Sequence, residues 1–221
     1  MKPNMTDINI VLDRSGSMDA VKNDTIGGYN AFLAEQKAAP GEAAITLVQF
    51  DHEYEVVYQA APLSDAKQLD GNTFVPRGNT ALYDAVGRTI NATGARLSAI
   101  SETERPGKVI FVILTDGEEN ASKEFSATRI AEMIQHQKDH YQWEFVFLGA
   151  NQDAITAAAK IGIQQANAMT YAANARGTAD AFGTVAKNMV SYRMGVSKSA
   201  AFDDDDRELQ RKAGAYRGTD K

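Results

Sequence analysis

Cysteine is absent from this sequence of 221 residues. Its absence excludes disulfide bonds, thiolate chemistry and cysteine-based zinc sites. Long apolar runs are missing too: the longest, residues 109–114, is far below the roughly 20 residues that a membrane-spanning helix needs. The first residues are largely polar and do not include the apolar core of a secretory signal. We therefore expect a cytoplasmic protein that does not insert into membranes.

Positive charge is also scarce. Lysine and arginine total 23 against 29 acidic residues, which gives a net charge of −6. Because proteins that bind nucleic acids usually carry a basic face, we expect no nucleic-acid partner. The glycine-rich phosphate loops of ATPases and of dinucleotide-binding folds are missing from the sequence as well, so neither of these functions is favoured.

The remaining pattern is typical of one α/β domain. Short apolar segments alternate with segments in which apolar residues recur at helical spacing. Strands are predicted at 8–12, 44–50, 54–58, 108–115, 143–148 and 168–171, and helices at about 18–37, 80–100, 130–138, 153–161 and 179–194. This alternation predicts a doubly wound, Rossmann-like sheet that is mostly parallel and carries helices on both faces.

A short turn at residues 51 and 52 joins the second and third strands. Two strands so close can pair only as a hairpin, so the third strand should be antiparallel and lie at a sheet edge. We assign residues 1–197 to this domain. Residues 198–221 form a charged tail, either disordered or packed as an extension, in which the aspartates at 203–206 are expected to be solvated.

Two oxygen-rich loops follow predicted strands. The segment Asp-Arg-Ser-Gly-Ser at 13–17 comes directly after the first strand, and Thr-Asp-Gly at 115–117 ends the most apolar strand. Because the carboxyl ends of parallel strands meet at one edge, Asp13 and Asp116 should lie close together if these strands are neighbours. Adjacent carboxylates are costly unless a cation or a proton lies between them. Oxygen donors without His or Cys favour Mg²⁺, with Mn²⁺ and Ca²⁺ as alternatives.

A pattern of five residues resembles a known metal-binding motif, the metal-ion-dependent adhesion site (MIDAS) of von Willebrand factor type A (vWA) domains. They occur in the order and in the residue types of that motif: Asp13, Ser15, Ser17, Thr80 and Asp116. The likeness in element order extends over roughly residues 5–195. One departure is Asn79, which stands where many members have a glycine. The resemblance implies the vWA fold.

The resemblance also implies a division of roles. Hydroxyls of Ser15, Ser17 and Thr80 would bind the metal, Thr80 either directly or through water, whereas Asp13 and Asp116 would act mostly through waters or behind the ligands. Neutral ligands leave the ion under-neutralised, and an open coordination position would accept a carboxylate from a partner. The predicted function is therefore a metal-dependent protein–protein interaction module, not an enzyme.

The predicted partner is a protein with an exposed Asp or Glu, acting alone or within a larger assembly. Residues that flank the metal loops are candidate contacts for it: Arg14, Asn79, Glu118 and Glu119. Asn120 is a further residue beside the loops.

A Mg²⁺-dependent hydrolase or phosphotransferase, with Asp13 as its nucleophile, is the alternative function. It is disfavoured because Ser15 stands where aspartyl-phosphate enzymes tend to have a second Asp. Other conspicuous residues favour structural roles: an exposed turn at Asp51 and His52, a solvated helix face rather than a zinc site at His136 and His140, and a core position at Trp143.

Overall fold

A computed structural model describes residues 1–150 and 153–215 of the chain. Its strands are β1 (Lys2–Asp13), β2 (Glu42–Phe50), β3 (Tyr54–Pro62), β4 (Pro106–Thr115), β5 (Glu144–Ala150) and β6 (Ala168–Tyr171). Its α-helices are α1 (Lys22–Ala38), α2 (Leu82–Ser98), α3 (Ala127–Tyr141), α4 (Ala154–Lys160), α5 (Ala175–Arg193) and α6 (Asp204–Lys212). Among the described residues, no helix is long and apolar enough to cross a membrane.

The strands form one six-stranded sheet in the order β3-β2-β1-β4-β5-β6. Every neighbouring pair is parallel except β2 and β3, which are antiparallel and place β3 at an edge. The predicted doubly wound sheet with one antiparallel edge strand is thus confirmed. Strands β1 and β4 lie at its centre, and Leu12 pairs with Leu114. The loops that follow these two strands therefore begin side by side.

The central strands are apolar throughout because both faces of the sheet are covered. On β4, Ile110 and Val112 face the core cluster that also contains residues of α1 and α5. Their neighbours Phe111 and Ile113 face the opposite cluster, which contains residues of α2 and α3. Burial of each such side chain stabilises the fold by about 1.5–3 kcal/mol. The loops at the carboxyl edge of the sheet therefore start from well-packed strands.

The first strand and the first helix depart from their predicted bounds. Strand β1 begins at Lys2, where the backbone N–H donates to the carbonyl of Arg105 (2.7 Å), although residues 2–4 are exposed and carry no apolar pattern. The predicted helix from residue 18 begins instead as a 3-10 turn, Gly16–Val21, before α1. In this turn the backbone N–H of Met18 donates to the carbonyl of Ser15 (3.0 Å), which keeps the 13–17 loop tightly curved.

The aspartate run in the tail is solvated as expected at Asp203, Asp204 and Asp205, which are exposed, but not at Asp206. Asp203 and Asp206 form a capping box at the start of α6, in which each side chain accepts a hydrogen bond from the other residue's backbone N–H. Asp206 is only 4% exposed, and it also accepts a hydrogen bond from Asn188 on α5 (3.0 Å). Further along α6, the amide of buried Gln210 donates to the carbonyl of Gly177 (3.0 Å). Residues 216–221 of the predicted tail lie outside the described residues.

Two adjacent glycines of α1 test how closely α1 packs on α5. A Cβ added to Gly28 would lie 2.3 Å from a ring carbon of Phe182, whereas one added to Gly27 would meet nothing within 4 Å. We expect Gly28→Ala to lower the free energy of unfolding by about 1–3 kcal/mol through overpacking. The matched Gly27→Ala should raise it by up to about 1 kcal/mol, because alanine favours helix. Urea unfolding followed by circular dichroism would measure both, and equal effects would contradict the close α1–α5 contact.

Candidate metal centre

Three polar loops meet above the carboxyl ends of β1 and β4. The first follows β1, the second precedes α2 and carries Thr80, and the third follows β4. Backbone hydrogen bonds join the first two loops: Gly16 N–H donates to the carbonyl of Gly78 (3.1 Å), and Arg77 N–H donates to the carbonyl of Arg14 (2.8 Å). Gly78 has φ +69°, a left-handed conformation that glycine adopts without strain. The long connection after β3 is thereby brought to the sheet centre.

Hydroxyl groups from two of these loops converge on one small space. The Oγ atoms of Ser15 and Ser17 are 3.1 Å apart, and Ser17 Oγ donates to Asp116 Oδ1 (2.6 Å). Gly117 borders the space: a Cβ built on it would lie 3.0 Å from Thr80 Oγ1, 3.4 Å from Ser17 Oγ and 3.7 Å from Ser15 Oγ. Three hydroxyl oxygens therefore surround a single point that any larger side chain at residue 117 would occupy.

The two carboxylates lie beside these hydroxyls. Asp13 is fully buried; its Oδ1 accepts from the backbone N–H of Ser15 (2.6 Å), and its Oδ2 accepts from Thr115 Oγ1 (2.5 Å). Burial raises the pKa of Asp13 to about 6 although these hydrogen bonds lower it, and the charge of Asp116 adds to the rise. Burial also raises the pKa of Asp116. A divalent cation beside the pair would offset the cost of keeping both ionised.

The donor set fits a hard divalent cation. Within residues 1–150 and 153–215, no group of three or more His, Asp or Glu side chains could hold a metal ion. A cation here would therefore depend on the serine and threonine hydroxyls together with the two carboxylates. Oxygen donors of this kind suit Mg²⁺, Mn²⁺ or Ca²⁺. The structure thus brings together all five residues that the sequence singled out for metal binding: Asp13, Ser15, Ser17, Thr80 and Asp116.

The loop after β4 contains residues whose role the sequence analysis missed. Asn120 brackets Thr80: its Oδ1 accepts from the backbone N–H of Thr80 (2.9 Å), and its own N–H donates to the carbonyl of Thr80 (3.0 Å). Glu119, predicted as a partner contact, accepts from the backbone N–H groups of Tyr83 (3.0 Å) and Ser122 (2.7 Å). Its carboxylate ties the loop to α2 and is already occupied. No signal in a single sequence marks these cross-loop bonds.

Two residues near the metal loops, Arg14 and Asp51, are buried rather than exposed, whereas His52 is exposed as expected. Arg14, expected to be a partner contact, is only 6% exposed and forms ion pairs with Asp51 and Glu55. Asp51, expected in an exposed turn, is fully buried between Arg14 and Arg77. An acidic residue in a short hairpin turn is usually exposed, so the pattern gave no hint of buried cationic partners.

The other predicted residues lie where the pattern placed them. Asn79 and Glu118 are exposed beside the loops, and their contact with a partner stays a prediction. His136 and His140 are exposed on α3 with their rings stacked (centroids 4.3 Å apart), which confirms the solvated helix face. Trp143 is 5% exposed and stacks on Phe111, which confirms its core position.

Comparison of the chain with known proteins gave a consistent answer at the level of fold. No protein-family sequence profile and no curated protein sequence matches. Solved structures do match. They include the pilus adhesin SpaC from Lactobacillus rhamnosus GG in its open conformation (TM-score 0.62, 17% identity, covering 86% of this chain and 30% of that one). A von Willebrand factor type A structure from Catenulispora acidiphila also matches (TM-score 0.54, 18% identity, 88% and 43%).

The chain has the von Willebrand factor A fold. Another structure with this fold is proximal thread matrix protein 1 from the mussel byssus, described with a zinc-occupied MIDAS motif (TM-score 0.55, 14% identity, covering 87% of this chain and 46% of that one). The present chain spans less than half the length of each of these three structures. At such identities the vWA likeness shows the fold alone, and it agrees with the resemblance seen in the sequence.

Gly117 provides a direct test of the hydroxyl cluster. We expect Gly117→Ala to weaken Mn²⁺ binding at least about 10–100-fold, the loss typical when the immediate surroundings of a metal are changed. The new methyl group would lie 3.0 Å from Thr80 Oγ1, within the space where the hydroxyls converge. Isothermal titration calorimetry would measure the affinity. Gly71→Ala is the control, because a Cβ there meets nothing within 4 Å; equal affinity in both variants would place any metal elsewhere.

Proposed function

We propose that this chain is a metal-dependent protein interaction module that binds an acidic side chain of a partner through a Mg²⁺ ion. One observation carries the proposal: the hydroxyls of Ser15, Ser17 and Thr80, from two separate loops, converge within 3.0–3.7 Å of one point beside Gly117. Asp116 stands next to them through its hydrogen bond with Ser17. Ordinary helix caps or turn residues would not need to share one point.

The residues of the centre would divide the work. Ser15, Ser17 and Thr80 would hold the ion through neutral oxygens, and Asp116 would orient Ser17 or hold a bound water. Asp13 would keep the loop in shape, because both of its oxygens already accept hydrogen bonds from Ser15 and Thr115. The ion supplies a positive charge that these ligands leave only partly neutralised. A partner carboxylate is the group that would best complete its coordination.

The similar structures support this proposal without deciding it. One is described as a pilus adhesin, and another as a byssus protein with a zinc-occupied MIDAS motif. The first description names adhesion and the second names a divalent cation in this motif, and both features are part of the proposal. The preference for Mg²⁺ over Mn²⁺ or Ca²⁺, the acidic partner and the cytoplasmic location are our own inferences from the donor chemistry and the sequence.

The alternative, a hydrolase with Asp13 as its nucleophile, has less support. A nucleophilic carboxylate must reach its substrate, but Asp13 is fully buried with both oxygens engaged. We expect wild-type protein to hydrolyse a generic phosphate ester in Mg²⁺ no faster than the folded Asp13→Asn variant does. A colorimetric phosphatase assay would check this, and turnover abolished by that substitution would instead support the enzyme.

The adhesion function can be tested by capture of partners from the source cell's lysate. Immobilised wild-type protein should retain a partner in Mg²⁺, release it in EDTA and recover it when Mg²⁺ is restored. Asp116→Ala should fail to retain it, because Ser17 then loses its partner beside the metal. Asp139→Ala removes an exposed carboxylate on α3 and should behave as wild type.

The acidic nature of the contact needs a second arm. A short aspartate-containing peptide, added in excess, should displace the captured partner, whereas its asparagine analogue should not. A partner retained equally in Mg²⁺ and EDTA would show that the cluster does not mediate the contact.

A further inference from the structure

A second buried cluster lies beside the metal centre, in the turn between β2 and β3. The carboxylate of Asp51 is fully buried. Its Oδ1 accepts from the backbone N–H of Glu53 (2.6 Å), and its Oδ2 accepts from Arg14 Nε (3.2 Å) and Arg77 Nε (2.8 Å). One carboxylate oxygen therefore joins two arginines from different loops.

These two arginines belong to the loops that carry the hydroxyls. Arg14 lies between Asp13 and Ser15, and Arg77 lies three residues before Thr80. The backbone completes the link on the other side of Thr80, because Ala81 N–H donates to the carbonyl of Asp51 (2.9 Å). Asp51 thus holds the Thr80 loop both before and after the threonine.

The two arginines keep the buried carboxylate of Asp51 charged. Burial by itself would raise the pKa of Asp51, but hydrogen bonds from Arg77 and from Glu53 N–H, together with the charge of Arg14, outweigh it and lower the pKa. A buried carboxylate that stays charged needs all of its partners, since removing one leaves an uncompensated charge. Arg14 is itself only 6% exposed, so its position is fixed by the same contacts.

We infer that Asp51, acting through Arg77, is a positioning residue that sets Thr80 Oγ1 against the hydroxyls of the 13–17 loop. The inference rests on the proposed metal centre. It assigns a role in metal affinity to groups that touch neither the ion nor its ligands. Residues that orient metal ligands in this way typically contribute about 10–100-fold to affinity when removed.

The test uses Mn²⁺ alone as the probe, titrated into the full chain by isothermal titration calorimetry. Arg77→Gln is the informative variant, because Arg77 is half exposed and Arg14 would still pair with Asp51, so the chain should stay folded. If charge alone matters, removing the positive charge of Arg77 should tighten Mn²⁺ binding, because like charges repel. Positioning predicts the opposite, a loss of about 10–100-fold.

Two further variants separate charge from geometry. Asp51→Asn and Glu53→Gln each remove one negative charge beside Arg77. Glu53 contacts Arg77 through an exposed ion pair (2.5 Å), which contributes little. We expect Asp51→Asn to weaken Mn²⁺ binding and Glu53→Gln to leave it unchanged. Circular dichroism and thermal unfolding of each variant show that the fold is retained.

A double-mutant cycle with Thr80→Ala identifies the route of the effect. If Arg77 acts by placing the threonine hydroxyl, Arg77→Gln should weaken binding in the wild-type background and have no further effect once Thr80 is alanine. An equal loss in both backgrounds would overturn the inference, as would folded Arg77→Gln protein that binds Mn²⁺ as tightly as wild type. Wild-type protein that binds no Mn²⁺ would overturn the metal centre itself and this inference with it.

Discussion

The structure depends on the meeting of two acidic strand ends at the centre of a buried sheet. The parallel pairing of β1 with β4 brings together the loops of Asp13, which is fully buried, and Asp116, which is partly buried. Buried like charges are unfavourable unless other groups compensate them. The hydrogen bonds from Ser15 N–H, Thr115 and Ser17 provide part of that compensation. A divalent cation would provide the rest, which is why a metal centre is the natural use of this edge.

Bringing Thr80 to that edge is the harder structural problem. It follows a long connection that begins at the sheet's edge strand and has little regular structure of its own. Two sets of contacts fix Thr80. Asn120 forms hydrogen bonds with both the backbone N–H and the carbonyl of Thr80, and Asp51 holds the residues around Thr80 through Arg77 and Ala81. Ion pairs and backbone hydrogen bonds therefore fix the position of this segment, which lies outside any helix or strand.

The remainder of the molecule gives this edge a stable base. Both faces of the sheet are covered by helices with buried apolar side chains. Helix α6 adds to the cover of α5 and of the region after β6 through Asp206 and Gln210. Exposed Ser17, Asn79 and Glu118 place the centre at the surface of the protein. A surface position of this kind fits the proposed contact with a partner protein.

The sequence by itself determined the fold class and the residue types of the proposed centre. Alternating apolar segments predict the doubly wound sheet, and Asp13 and Asp116 come directly after two of its predicted strands. The two aspartates meet because these strands are neighbours, and that strand order was decided by the structure. The tertiary structure alone decided how the loops are held. Arg14 and Asp51 are 37 residues apart, and Thr80 and Asn120 are 40 apart. Such pairs leave no local periodicity, because their contacts exist only after the sheet has brought distant loops together.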